Sequence, residues 1–372
     1  MKTPTPRPAI VDLAPYPVAS ARAATESTGT PIRLNQNERA ARPSERVVAA
    51  FARAAADANR YPDGGCGRLR ARIAEVHGLD AARIVCGNGS GELVALLACA
   101  YAGGGDEILT GQFAYLYFDT AARIAGATPV RAPAGPDLGI DIEALLDAVT
   151  PRTRMVCVDN PGNPTGRMLA ADAVRALRRG LRDDILLVLD AAYAEYVTAA
   201  DYEPGAAVVE DGENTVMLRT FSKIHGLAAA RVGWAYCPAA VAEVLNRVRL
   251  PNNITGPSQA AALAALAPEE RQRVTGLRAQ NDALRRRFCD DLGALGLTAY
   301  PSQGSYVLVR FAGRGAAQAT GAALQDRGIY GRAMAAYDLA DCIRFTVGTE
   351  TEMAAVAEAL KRIQGMALPG GG

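Results

Sequence analysis

The sequence predicts an α/β fold: a mainly parallel, mixed seven-stranded sheet covered by helices, followed by a smaller α+β domain. Three observations carry that expectation. Short apolar runs alternate with helix-length segments between about residues 84 and 236. One run, Ile185-Leu186-Leu187-Val188-Leu189, is apolar at consecutive positions, as a strand buried on both faces must be. Beyond about residue 250 the rhythm stops and a long charged helical stretch begins.

The elements follow in order. Residues 1–35 are rich in proline and read as an extended arm. Residues 36–250 form the large domain. Ile84–Cys86 is a short strand, and Gly87-Asn88-Gly89-Ser90-Gly91 leads from it into a helix, Glu92–Tyr101, that Gly103-Gly104-Gly105 stops. Glu107–Leu109 and Thr128–Arg131 are strands around a helix, Tyr117–Ala125. A helix over Asp141–Val149 precedes the strand Met155–Val158, and a helix over Ala170–Arg179 precedes Ile185–Leu189. Val216–Leu218 is the sixth strand, and Arg231–Tyr236 the seventh and antiparallel one. Residues 251–372 form the small domain. Its elements are a charged helix Pro268–Gly293, a strand Ser305–Arg310, a helix Ala316–Arg327, a strand Cys342–Thr346 and a helix Glu350–Gln364.

Composition removes several functions. The 372 residues are 49% hydrophobic and 21% charged, enough for a large core and against general disorder. The 40 basic and 39 acidic residues nearly cancel, which argues against a nucleic-acid binder. The most apolar stretch, Leu93–Ala102, is about half a membrane span, so no membrane role is expected. Met1–Ala9 lacks the apolar run of a targeting segment. Only two histidines occur, and the seven cysteines show no C-x-x-C. No metal site and no disulfide scaffold are expected, and scattered buried thiols fit a reducing cytoplasm.

All but three of the basic residues are arginine; the lysines are Lys2, Lys223 and Lys361. Arginine serves wherever charge alone matters, but only lysine can act as an amine nucleophile. Lys2 and Lys361 lie near the ends, so Lys223 is the candidate. It sits in Thr220-Phe221-Ser222-Lys223, with Arg231 eight positions on. Thr220, Ser222 and Arg231 are phosphate-binding types. A lysine nucleophile beside a phosphate site suggests pyridoxal phosphate held as a Schiff base. Asn163, in a turn after a strand, can bond the phenolic oxygen of that cofactor, and Tyr193 can assist it. Asp190, ending a buried strand, can keep the pyridine nitrogen protonated. Singly, Lys223 reads as well as a salt-bridged surface lysine, Asp190 as a helix cap and Asn163 as a turn former. The order Asn163, Asp190, Lys223, Arg231, each after a strand, is what chance does not supply.

These residues resemble the fold-type-I pyridoxal-phosphate aminotransferases, and more narrowly the histidinol-phosphate aminotransferase family. The resemblance spans about Leu34 to Met353. It rests on Asn160-Pro161-Gly162-Asn163-Pro164-Thr165-Gly166 and Ser222-Lys223 with Arg231. Further matches are Asn35-Gln36-Asn37-Glu38, Arg60-Tyr61-Pro62-Asp63, Gly87-Asn88-Gly89-Ser90-Gly91-Glu92 and Arg344-Phe345-Thr346-Val347-Gly348-Thr349.

The resemblance implies roles. Lys223 is the Schiff-base lysine and proton shuttle, Asp190 the partner of the pyridinium, and Asn163 and Tyr193 the holders of its phenolic oxygen. Tyr115 stacks on the ring. Ser90 and Gly91 amides bind phosphate with Thr220, Ser222 and Arg231. Tyr61 reaches the cofactor of a second subunit, which implies a homodimer with shared active sites. Arg344 and Arg332 bind the substrate anion and face the cofactor, Asn37 lies at the substrate entrance, and Tyr16 closes over the substrate. The reaction implied is amino transfer between an amino acid, glutamate foremost, and a keto or aldehyde acceptor, with histidinol phosphate and imidazole acetol phosphate the leading pair.

Departures from the family pattern keep the substrate open. The segment Asn37-Glu38-Arg39-Ala40-Ala41-Arg42-Pro43 lacks the usual first proline and glycine of N-E-N-P-x-G-P. Gly91 stands where Asp is usual, Ala191 where Glu is, and His225 where an apolar or aromatic residue is commoner. Another amino acid, or decarboxylase or oxidase chemistry on the same cofactor, is the alternative; a non-catalytic binding module is a third.

Overall fold

The computed structural model describes residues 4–15 and 30–367. At its centre is a sheet of β1 (Ile84–Gly87), β2 (Glu107–Gly111), β3 (Thr128–Ala132), β4 (Thr153–Asp159), β5 (Leu186–Asp190), β6 (Thr215–Thr220) and β7 (Gly233–Tyr236). Their order is β1-β7-β6-β5-β4-β2-β3. β7 runs antiparallel to both neighbours and the remaining pairs are parallel. The apolar run in β5 has a simple cause. Leu186 and Val188 enter one hydrophobic core while Leu187 and Leu189 enter another, because alternate residues of a strand face opposite sides. The chain steps outward from β2 to β3, then returns across β2 to place β4 on its other side. Ligands of such sheets bind beyond the carboxyl ends at that reversal.

Helix α1 (Glu45–Ala55), capped by the Ser44 side chain, and helix α2 (Gly67–His77) fill the stretch before β1, where the sequence reading assigned no element. Helix α3 (Ser90–Tyr101) begins two residues earlier than expected. Helix α4 (Gly256–Ala265) lies against α1, and helix α5 (Pro268–Ala294) leads into the small domain. There β8 (Thr298–Ala299), β9 (Tyr306–Arg310), β10 (Arg332–Met334) and β11 (Leu339–Thr346) form an antiparallel sheet in the order β10-β11-β9-β8. Ile32–Arg33 pairs separately, and in parallel, with Ile329–Tyr330.

Two expectations need correcting. Pro8–Val11 makes one helical turn, so the described part of the arm is not wholly extended. Arg231 stands outside β7 with a φ of 54°, a left-handed conformation that no strand residue adopts. The packing also crosses the expected domain limits of 36–250 and 251–372. Ile254, Ala261, Ala262, Ala265 and Leu266 share the core of Cys86 and Trp234, whereas Leu34 packs with Phe288 and Phe345. We propose limits that follow the cores: the chain changes domain within α5, and residues 32–34 go with the small domain.

Candidate active site

A cleft of about 370 Å³ opens beyond the carboxyl ends of β4, β5 and β6. Ser90, Gly91 and Tyr115 line it from one side, Asn163, Asp190 and Tyr193 from another, and Thr220, Ser222, Lys223 and Arg231 from a third. Ten of the residues read from the sequence thus meet in one place.

The end of the cleft near Arg231 is built to receive an anion. Helix α3 starts there with no side-chain cap, so its first N–H groups remain available. Thr220 donates through its hydroxyl to Ser222 Oγ at 3.0 Å, and Arg231 Nη1 donates to the same oxygen at 3.3 Å and to the Ala228 carbonyl at 3.0 Å. Two glycines allow the close approach. A Cβ on Gly233 would stand 2.3 Å from the Ser90 nitrogen, and one on Gly89 would stand 2.4 Å from the Arg231 guanidinium.

The Lys223 ammonium lies 5.4 Å from the centre of the Tyr193 ring. Asp190, 4% exposed, accepts from the Ala192 N–H at 3.1 Å. Burial pushes its pKa up to about 6, against the pull of that N–H and of the Lys223 charge. Asn163 Oδ1 accepts from Arg344 Nη1. That fixes the amide orientation and leaves the Asn163 NH₂ as the donor available to the cleft.

The substrate-side residues are distributed differently. Asn37 is buried with a φ of 54°; its amide donates to the Tyr193 hydroxyl at 2.8 Å, and its N–H to Thr346 Oγ1 at 3.0 Å. It braces Tyr193 and does not line the cleft. Arg344 is 5% exposed, with its guanidinium 5.3 Å from the Tyr306 ring centre and Nη2 donating to the Asn35 carbonyl at 3.3 Å. Its Nε is buried without a hydrogen-bond partner. Arg332 is the partner of Arg344 across the β10–β11 ladder, half-buried, and outside the cleft lining. Tyr61 is 89% exposed and stands apart from the cleft. Tyr16 lies outside the described residues.

The sequence reading gave no role to four groups near the site. Gln36, Glu38 and Asp159 also line the cleft. Outside the cleft lining, Glu195 accepts from Arg219 at 2.7 Å and stands 3.7 Å from His225 Nε2, while the His225 ring packs on Phe221 at 5.0 Å. Burial would raise the Glu195 pKa, but Arg219 and His225 hold it well below the usual carboxylate range. Asp159 could have been noticed, since it is a strand-end acid just as Asp190 is. Glu195 carried no such signal, because its partners are distant in sequence.

A sequence profile of the aminotransferase class I and II family matches residues 30–361. The chain belongs to that family. The aminotransferase is 50% identical to the histidinol-phosphate aminotransferase of Rhodospirillum centenum over 361 residues, covering 97% of this chain and 98% of that one. It is 46% identical to the histidinol-phosphate aminotransferase of Paramagnetospirillum magneticum over 368 residues, covering 98% and 100%. Among solved structures it resembles the histidinol-phosphate aminotransferase of Sinorhizobium meliloti in complex with pyridoxal-5'-phosphate, with a TM-score of 0.88, 29% identity and 97% of each chain covered. Within the family, this aminotransferase therefore belongs with the histidinol-phosphate aminotransferases. Its fold is accordingly that of the fold-type-I transferases. No described helix is long and apolar enough to cross a membrane, and no group of three or more His, Cys, Asp or Glu among the described residues could hold a metal ion.

Proposed function

We propose that the protein is a pyridoxal-phosphate-dependent aminotransferase whose substrate pair is histidinol phosphate and imidazole acetol phosphate, with glutamate as the other amino carrier. The carrying observation is the meeting of Lys223, Asp190 and Arg231 in one cleft, in a chain half identical to a histidinol-phosphate aminotransferase. The cleft fits the cofactor. The uncapped start of α3, with Thr220, Ser222 and Arg231, suits its phosphate, Asp190 its ring nitrogen, and Tyr115 its ring face.

When bound, the cofactor supplies an electron-withdrawing ring that spreads negative charge from the substrate's α-carbon. The chain does the rest. The Lys223 amine anchors the cofactor and carries the proton on and off that carbon. Asp190 holds the ring nitrogen charged. The Asn163 NH₂ and the Tyr193 hydroxyl, the latter braced by Asn37, fix the phenolic oxygen. Arg344 binds the substrate anion, with Arg332 on the same face of the small sheet as a second cation. Tyr61, so exposed in a single chain, completes the phosphate site of a second subunit in a homodimer. The enzyme works in the cytoplasm, where its free thiols stay reduced.

Visible absorbance tests the cofactor, since glutamate must bleach the band of the lysine-bound form. Turnover of histidinol phosphate, measured beside phenylalanine and arginine, tests the substrate. Glu38 in the cleft wall favours one second reading, a plain amino acid with a cationic or polar side chain. Good turnover of such an amino acid with none of histidinol phosphate would select it.

A further inference from the structure

In the ladder between β4 and β5, Asp159 stands directly beside Asp190. Residues paired across neighbouring strands, about 4.8 Å apart, point to the same face. Two carboxyls therefore share one end of the sheet, both lining the cleft and neither more than 5% exposed. Asp159 Oδ2 accepts from the Asn163 N–H at 2.6 Å, while Oδ1 is buried with no hydrogen-bond partner. A charged oxygen left so would be costly, and a protonated one costs much less.

The surroundings agree. Burial pushes the Asp159 pKa up to about 7; the Asn163 N–H opposes this, the Asp190 charge adds to it, and the N–H groups of Asp159 itself and of Tyr115 lower it. None of the strongest influences on Asp159 is a cation. The other titratable groups facing the pair are Cys157 on the same strand, Tyr306 from β9, Tyr202, whose hydroxyl donates to the Asn160 carbonyl at 2.8 Å, and Lys223 beyond Asp190. Arg344 is engaged by Asn163 and the Tyr306 ring.

We propose that Asp159 is a second acid of the cofactor site, paired with Asp190, so that the two hold one proton between them in the cofactor-free enzyme and Asp159 sets how firmly Asp190 grips the protonated pyridine ring. This rests on reading the cleft as the pyridoxal-phosphate site. Asp159 acts through Asp190 and is a positioning residue. At low pH it is neutral and Asp190 alone faces the ring. As pH rises through about 7 it ionises, two like charges crowd together, and a bound cation relieves them.

The experiment is a titration of cofactor-free enzyme with pyridoxal phosphate from pH 6 to pH 8.5, on the wild type and on Asp159→Asn. The ratio of wild-type to variant affinity should be near one at the acid end. It should reach about tenfold at the alkaline end, the effect of one neighbouring charge. Infrared spectra of the cofactor-free enzyme should show a buried carboxylic-acid band that titrates at about 7 and is missing from Asp159→Asn, where only the Asp190 band near 6 remains. Should that variant fail to fold, Asp190→Asn decides the matter: its band must titrate at lower pH once the neighbouring charge is gone, and an unchanged midpoint overturns the pair. A wild type that takes up no cofactor would defeat the functional reading itself. A wild type that binds it, beside an Asp159→Asn variant with the same affinity at every pH, overturns only the pair.

Discussion

In the proposed mechanism the chemistry turns on Lys223, since the other lysines, Lys2 and Lys361, lie near the ends of the chain. Lys223→Arg keeps the charge but loses the amine that can attack a carbonyl. Turnover should fall by roughly 10²–10⁴-fold or more, the loss of a positioned proton carrier. Borohydride reduction followed by peptide mapping should find the cofactor on Lys223 in the wild type and nowhere in the variant. Asp190→Asn should cost roughly 10²–10³-fold in kcat at saturating cofactor, as other removed electrostatic partners do. A drop of less than about tenfold would contradict its role. Arg344 invites a different measurement. It already donates to Asn163 and to the Asn35 carbonyl, yet its Nε is buried and unpaired. Arg344→Ala should raise KM strongly and leave the cofactor absorbance in place. A shifted absorbance with normal KM would mean that Arg344 serves Asn163 and not the substrate.

At the scale of elements, the site depends on three chain segments meeting within atomic contact. The start of α3 leaves no room for a single methyl group at Gly233, where β7 begins, and Arg231 leaves none at Gly89. Gly233→Ala must push α3 away, since the obstacle is backbone and not a side chain that can swing aside. Equilibrium dialysis should show cofactor affinity reduced by about tenfold or more, with about 1–3 kcal/mol of stability lost to overpacking. The Glu195–Arg219 pair ties the segment after β5 to β6, and Arg219 lies 5.6 Å from the Trp234 ring centre in β7. The folded-state pKa of Glu195 is depressed, so its contribution is present above the unfolded carboxyl value of about 4.3 and is lost as pH falls through and below it. Glu195→Gln should cost about 3–5 kcal/mol at pH 7, because it strands a buried guanidinium. Its melting temperature should fall less steeply below pH 4.5 than that of the wild type. A parallel decline would show the pair to be inert. These elements also show what could be read in advance. The seven strands and the turns that end them were legible, since short apolar runs and strand-end polar residues leave a local pattern. The Glu195–Arg219–His225 cluster was not, because only the folded sheet brings those residues together. Nor was the bracing of Tyr193 by Asn37, which joins residues 156 positions apart. Arg231 reads as strand in the sequence because the residues after it carry a strand pattern, and its left-handed backbone leaves no local mark.

The whole molecule sets the last test. A single chain leaves Tyr61 89% exposed, and helix α1, which precedes it in the chain, also shows Val48 and Phe51 to solvent. An aromatic so placed has no work within its own chain, and in the proposed homodimer it would complete the partner's phosphate site. Tyr61→Ala should then weaken cofactor binding by about 10–100-fold, the range for a lost hydrogen bond to a charged group. Its own chain should keep its fold, because the side chain packs on little there. The sharper measurement mixes two defective proteins. Lys223→Ala has an intact Tyr61 and no amine; Tyr61→Ala has the amine and no tyrosine. In a mixed dimer with shared sites, one of the two clefts receives Lys223 from one chain and Tyr61 from the other, and is whole. Unfolding the two together and refolding them should raise activity at limiting cofactor above that of either protein alone, in proportion to the mixed dimer formed. If sedimentation finds the mixed dimer but activity stays at the level of Tyr61→Ala alone, each cleft is complete within its own chain. The exposed tyrosine would then belong to the surface and not to the chemistry.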